Sequence, residues 1–144
     1  MKKPVLLTIV STQQFEDETP ETTELVTEGT LSRDGDALEL SYAESELTGL
    51  QGTQTCFRIE KDRILLSRTG NLESHMTFIE GQEDLSLYDM GYGALMICVR
   101  TERIHCTLSE AGGTLLVSYG IVIEEDAHGS ITYKISVQPL PERR

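Results

Sequence analysis

The sequence of 144 residues contains no tryptophan and no long hydrophobic run. A membrane-spanning helix needs about 20 consecutive apolar residues, and the apolar run from Val5 to Val10 is far shorter. The same run is also shorter than the apolar core of a secretory signal peptide, which has about 7–15 residues. We therefore expect a cytoplasmic protein with no membrane partner, and we interpret the N-terminal run, about Pro4 to Gln13, as a first strand.

Cysteine is also scarce, with Cys56, Cys98 and Cys106 as the complete set. An odd count without paired spacing argues against a disulfide framework and fits free thiols in a reducing compartment. His105 and Cys106 are adjacent, so in a strand they point to opposite faces and cannot bind one metal ion. The sequence therefore predicts no metal site and no cofactor.

Basic residues are few, because 12 lysines and arginines stand against 24 acids, for a net charge of −12. Such a field repels nucleic-acid phosphates, so we expect no nucleic-acid partner. The nearest approach to a basic patch is Arg58, Lys61, Arg63 and Arg68, which is interleaved with acids. We interpret the acidity as a solubilising surface.

The chain has many short apolar–polar alternations, which are typical of β-strands. Turn signals separate them, including Asp34-Gly35, Lys61-Asp62, Gly70-Asn71 and His128-Gly129. Asp-Gly favours a tight hairpin because both central residues of a type I′ turn need positive φ. The one helix candidate, Tyr42 to Leu50, would have one or two turns.

Ten short strand runs follow one another in up-and-down order. A flat sheet of ten strands would twist strongly and leave two exposed edges, whereas closure into a barrel removes the edges. The sequence therefore predicts an all-β, single-domain barrel over residues 1–144, with about 8–10 antiparallel strands. A two-sheet sandwich is the alternative.

Three strand runs between Leu38 and Gly70 form the most informative stretch. Alternation places every second residue of a run on the same face. The residues that share a face are Leu38, Leu40, Tyr42 and Glu44 in the first run, Thr53, Thr55, Phe57 and Ile59 in the second, and Ile64, Leu66 and Arg68 in the third. Two of these faces end in opposite charges. A lone charge inside a barrel costs several kcal/mol, so we predict a Glu44–Arg68 pair that plugs one end. The alternative is an anionic ligand bound on Arg68.

This polar cluster supplies the candidate ligand-binding residues, Tyr42, Glu44, Thr55, Arg68 and Tyr88. The other two tyrosines that alternate with aliphatic residues, Tyr119 and Tyr133, are predicted to pack in the core.

The order and spacing of several short motifs resemble the YwiB-like family of small bacterial proteins of unknown function. The motifs are SYAES, TQT, LSRTG, FIEG, LYDMGYG before a long strand with Thr101, and VSYGI. They cover nearly the whole chain. The positions that match the family pattern are Tyr42, Glu44, Thr55, Arg68, Gly70, Phe78, Gly81, Tyr88, Gly93 and Tyr119. The resemblance implies a calycin-type, lipocalin-like barrel in the bacterial cytoplasm and implies no catalytic residue.

Motifs for chemistry are absent, since the chain has no GxSxG nucleophile elbow and no phosphate-cradling glycine loop. The leading hypothesis is a module that binds an anionic or apolar small molecule inside the barrel. One alternative is a structural or protein-interaction barrel with a filled interior. Another is an enzyme of unknown reaction that uses the Glu44 and Arg68 cluster. The sequence does not predict an oligomeric state.

Overall fold

The computed structural model describes residues 2–16, 18–44, 51–89, 93–123 and 127–140, with the backbone alone for 87–89, 94 and 127. Within these ranges the chain forms ten strands and no helix. The strands are β1 (Lys2–Phe15), β2 (Glu21–Asp34), β3 (Ala37–Ala43), β4 (Thr53–Ile59), β5 (Ile64–Gly70), β6 (Glu73–Phe78), β7 (Glu83–Asp89), β8 (Ala94–Cys106), β9 (Gly113–Ile123) and β10 (Ala127–Pro139). The predicted helix falls mainly on residues 45–50, outside the described residues.

Each strand pairs antiparallel with its sequence neighbours, and β1 closes the sheet by pairing with β10. The closing register runs from Val5 opposite Pro139 to Phe15 opposite Gly129. Closure gives each terminal strand a second backbone partner on the edge that an open sheet would leave unpaired. This is the physical reason to prefer a barrel over an open sheet. The all-β, up-and-down barrel predicted from the sequence is confirmed.

Most turn signals act as the sequence predicts. Gly35 has a φ of +61° in the β2–β3 hairpin, and the Glu60 N–H donates to the Arg63 carbonyl at 2.9 Å around Lys61-Asp62. The predicted His128-Gly129 turn is wrong, because both residues lie within β10 opposite β9. A Cβ on Gly129 would lie 2.6 Å from the Phe15 ring. That glycine therefore makes room for an aromatic ring.

The barrel interior is divided into two layers along β3 to β6. In one row of paired residues the inward side chains are apolar: Leu40, Phe57, Leu66 and Met76. Two residues further along each strand, the inward side chains are polar or amphipathic: Tyr42, Thr55, Arg68 and Ser74. We call the first row, with Leu38, Ile59, Ile64 and Phe78 beyond it, the apolar layer. The second row, with Glu44 and Thr53, is the polar layer.

The apolar layer is the centre of a larger buried core. It joins inward aliphatic residues from the strands that complete the ring, among them Val5, Leu7, Leu31, Val99, Leu115, Val117 and Ile135. Each of these residues is at most 2% exposed.

No helix long and apolar enough to cross a membrane occurs in the part of the chain that the structure describes.

Candidate functional site

Arg68 brings a positive charge into the barrel. The alternation of β5 turns it inward after Ile64 and Leu66, and the residue is 3% exposed. One guanidinium nitrogen, Nη2, donates to the hydroxyl of Tyr133 on β10 at 2.8 Å. Another, Nε, lies 3.9 Å from Oε2 of Glu44. The predicted Glu44–Arg68 pair is therefore present, as a loose ion pair at the outer limit of such contacts.

Glu44 is held mainly by neutral groups. Its backbone N–H donates to the Thr53 carbonyl at 2.9 Å, which continues the β3–β4 pairing by one residue. Its carboxylate accepts a hydrogen bond from the Thr55 hydroxyl at 2.5 Å and is also hydrogen-bonded to the Tyr42 hydroxyl. Hydrogen bonds to an ionised carboxylate are stronger than neutral ones, so these two donors help to fix the carboxylate beside the guanidinium.

The Tyr42 phenol is a neutral donor at this site. Burial raises its pKa well above the ordinary value, and the nearby Glu44 carboxylate raises it further, while Arg68 acts in the opposite direction. The phenol therefore keeps its proton throughout the physiological pH range and donates a hydrogen bond to the Glu44 carboxylate.

A cavity of about 220 Å³ lies against these groups. Two of its lining residues are charged, Arg68 and Glu44, and we call this pair the charged floor. The other lining residues are aromatic (Tyr42, Tyr119, Tyr133), aliphatic (Ile9, Leu25, Ile131) and neutral polar (Ser11, Gln13, Thr23). The wall is thus polar and apolar in nearly equal parts, and polar groups that converge beside apolar surface are found in small-molecule sites.

The cavity lies where β2 and β3 part. Their pairing extends only from Asp34 and Ala37 to Thr30 and Ser41, while β2 continues beside β1 as far as Glu21. At the point of separation a Cβ on Gly29 would lie 2.4 Å from the Ser41 carbonyl oxygen. Glycine thus allows a close approach of the two backbones just before they diverge, and the divergence exposes the polar layer to the cavity.

The predicted site residues have different positions. Tyr42, Glu44 and Arg68 line the cavity. Thr55 is fully buried beside Glu44 and orients its carboxylate without lining the cavity. Tyr88 pairs through its backbone with Ser74 and Leu95, and its side chain lies outside the described residues. The ligand-binding role of all five remains a prediction.

Sequence reasoning missed Tyr133 as a site residue. The sequence predicts that it packs in the core, and its ring does pack against two others. The ring centroids are 6.1 Å apart in the edge-on pair with Phe57 and 6.4 Å apart in the stacked pair with Tyr119. Its hydroxyl, however, accepts the hydrogen bond from Arg68. The inward alternation of β10 already placed this hydroxyl inside, but only closure of the barrel brings β10 across from β5. Tyr119 also borders the cavity while its ring packs 4.7 Å from Phe78.

The other arginines of the Leu38–Gly70 stretch belong to the outer surface. Arg58 contacts Asp34, Glu39 and Glu60, and Arg63 contacts Glu60. The hydrogen bonds that Arg58 donates to Glu60 and Asp34 raise the pKa of its guanidinium. Acidic partners therefore neutralise the charges of both arginines.

The described side chains also contain no group of three or more His, Cys, Asp or Glu residues placed to hold a metal ion. The three cysteines are free thiols, with Cys56 and Cys98 partly buried and Cys106 exposed.

Comparisons with known proteins agree on one family and one fold. Residues 7–135 match the family described as a domain of unknown function, DUF1934. A curated relative, the uncharacterized beta-barrel protein YwiB of Bacillus subtilis strain 168, is 26% identical over 99 residues, which are 66% of this chain and 68% of that protein. The crystal structure of the ywiB protein from Bacillus subtilis superposes with a TM-score of 0.76 at 21% identity, covering 94% of this chain and 92% of that one. The resemblance found in the sequence is confirmed.

Proposed function

This chain belongs to the DUF1934 domain family, and from the geometry of its barrel we propose that it is a small-molecule binding module of the calycin type. The observation that carries this proposal is the cavity of about 220 Å³ that ends on Arg68 and Glu44. A barrel that served stability alone would gain by filling this volume with aliphatic side chains, because buried ion pairs stabilise less than well-packed apolar residues.

The wall of the cavity supports a ligand with an apolar body and an anionic group. Ile9, Leu25 and Ile131 offer apolar surface to the body. The guanidinium of Arg68, held by Tyr133, offers the planar donor geometry that binds a carboxylate. We place the protein in the cytoplasm, where its three free cysteines would remain reduced.

A melting-shift screen tests this function. Straight-chain and aromatic carboxylates with four to ten carbons, and the alcohols of the same length, are added to the protein at millimolar concentration. A ligand at 100 times its Kd stabilises the folded state by about 2.7 kcal/mol, so we expect at least one carboxylate to raise Tm by several degrees. Wild type and Arg68→Gln are compared, with Arg63→Gln as the matched control because Arg63 is an exposed arginine paired to Glu60.

The expected result is a shift in wild type and in Arg63→Gln that is lost in Arg68→Gln. If no carboxylate or alcohol shifts the melt, the cavity does not bind this class of molecule.

A structural or protein-interaction barrel is the second candidate, and the filled apolar layer supports it. Phe57, Leu66 and Phe78 are fully buried, so the side chains of this layer fill space inside the barrel. This candidate expects the cavity to tolerate filling: Thr23→Leu or Ser11→Leu would raise Tm, and no compound would bind.

A further inference from the structure

The cavity floor carries one positive and one negative charge, and each also has a neutral hydrogen-bond partner. The side chains of Arg68 and Glu44 are 3% and 2% exposed, with 3.9 Å between Nε of Arg68 and Oε2 of Glu44. Thr55 and Tyr42 hold the carboxylate, and Tyr133 holds the guanidinium. The two groups therefore form a dipolar floor with no net charge, in which each ion also has a neutral partner that helps to fix its position.

A ligand with one charge fits such a floor poorly. A carboxylate bound to Arg68 lies within a few ångströms of the Glu44 carboxylate, and like charges repel strongly in a site of low dielectric constant. An ammonium group bound to Glu44 meets the same repulsion from Arg68. The overall charge of −12 adds a long-range field that disfavours simple anions. A ligand that carries both charges pairs with both residues and adds no net charge to the interior.

The size of the cavity limits the rest of the ligand. A cavity of about 150 Å³ in another protein holds benzene, which has six heavy atoms, so about 220 Å³ corresponds to roughly nine heavy atoms at the same density. The rest of the wall is aliphatic at Ile9, Leu25 and Ile131 and neutral polar at Ser11, Gln13 and Thr23. The body of the ligand is therefore short, with an apolar part that can lie against the aliphatic residues.

We infer that the ligand is a small zwitterion of the amino-acid type with an apolar side chain. Its carboxylate binds Arg68, its ammonium group binds Glu44, and its side chain lies against the aliphatic wall. This inference rests on the proposed small-molecule binding and narrows it from anionic ligands in general to ligands with two opposite charges.

Three compounds of matched shape test the inference on the wild-type protein. L-leucine has nine heavy atoms and both charges, 4-methylpentanoate lacks the amino group, and 3-methylbutylamine lacks the carboxylate. Titration calorimetry at pH 7 measures the Kd of each. We expect leucine to bind at least about tenfold more tightly than either single-charge analogue, because each analogue leaves one buried charge of the floor facing a like charge.

Two variants then locate the charges, and their folding is checked by thermal melts. Glu44→Gln is expected to weaken leucine and strengthen 4-methylpentanoate, whereas Arg68→Gln is expected to weaken leucine and strengthen 3-methylbutylamine. Arg63→Gln serves as the control and leaves the order of the three affinities unchanged. The wild-type comparison stands even if a variant does not fold.

The outcomes separate this inference from the proposed function. If 4-methylpentanoate binds wild type as tightly as leucine and loses binding in Arg68→Gln, the zwitterion is overturned and small-molecule binding stands. If none of the three binds but a compound in the carboxylate screen raises Tm, the zwitterion is again overturned and small-molecule binding stands. If none binds and the screen is also negative, both proposals fail.

Discussion

The apolar and polar layers of the barrel interior are built from the same four strands, two residues apart along each strand. Leu40 and Phe57 face each other in one row, and Tyr42 and Thr55 face each other in the next. The first row has no polar atom to satisfy. The second contains a buried ion pair and a hydroxyl network. Both rows belong to the same pairing of β3 to β6, so within these strands the difference between the rows lies in their side chains.

This contrast indicates a division of labour inside one barrel. Burial of apolar surface stabilises the fold by about 25 cal/mol per Å², and the apolar layer contributes in that way at every position. Desolvation of two ions opposes the attraction between them, so the polar layer adds little net stability for the area it buries. Polar groups that break the pattern of a core are expected at functional sites, and the cavity adjoins the polar layer.

The largest expected effect separates the apolar layer from the surface. Phe57→Ala removes a fully buried ring and leaves a cavity, so we expect a loss of about 3–5 kcal/mol in the free energy of unfolding. Leu85→Ala is the control, because Leu85 is 67% exposed and its truncation is expected to change stability by less than about 0.5 kcal/mol. Urea denaturation measures both, and equal losses would contradict the two-layer description.

The next effect tests whether the two charges of the polar layer are coupled. Arg68→Leu leaves the Glu44 carboxylate buried without its counter-charge, for an expected loss of about 3 kcal/mol. Glu44→Leu combined with Arg68→Leu is expected to lose less than Arg68→Leu alone, because no buried charge remains. Thermal and urea melts of the two single variants and the double variant give the coupling. Additive losses would mean that the residues do not interact.

A smaller effect is expected at the contact that joins the two sides of the barrel. Tyr133→Phe keeps the ring against Phe57 and removes the hydroxyl that accepts from Arg68. A hydrogen bond to a charged group contributes about 1.5–3 kcal/mol, so we expect a loss near the lower figure. In the Arg68→Leu background the same change is expected to have almost no effect. A full loss in that background would show that the hydroxyl acts through another group.

The smallest effect is expected on the outer surface. Hydrogen bonds from Arg63 and then Arg58 lower the pKa of Glu60. A carboxyl whose folded pKa lies below its unfolded value contributes stability above the ordinary glutamate range and loses it as pH falls through the folded pKa. Arg63→Gln is therefore expected to lower Tm slightly at pH 7, less so in high salt, and not at all in strong acid. A salt-independent loss would indicate a packing role for Arg63.

Much of the barrel and part of the site could be predicted from local pattern. Alternation from Leu38 to Glu44 and from Ile64 to Arg68 identified the inward faces, and the opposite charges at their ends predicted a pair. Tyr133 could not be assigned to the site in this way, because it lies 65 residues after Arg68. Gly129 was misread as a turn residue because a glycine that makes room for a distant ring has the same local signal as one in a hairpin.

By itself, the sequence determined which side chains of a strand share a face, because successive residues of a strand alternate between the two faces of the sheet. It also determined that Glu44 and Arg68 share the inner face. Only the tertiary structure decided that a cavity lies beside them and that Tyr133 completes the cluster. Both depend on the pairing of β1 with β10 and on the separation of β2 from β3 at Gly29. These are contacts between residues far apart in the chain, and no local pattern encodes them.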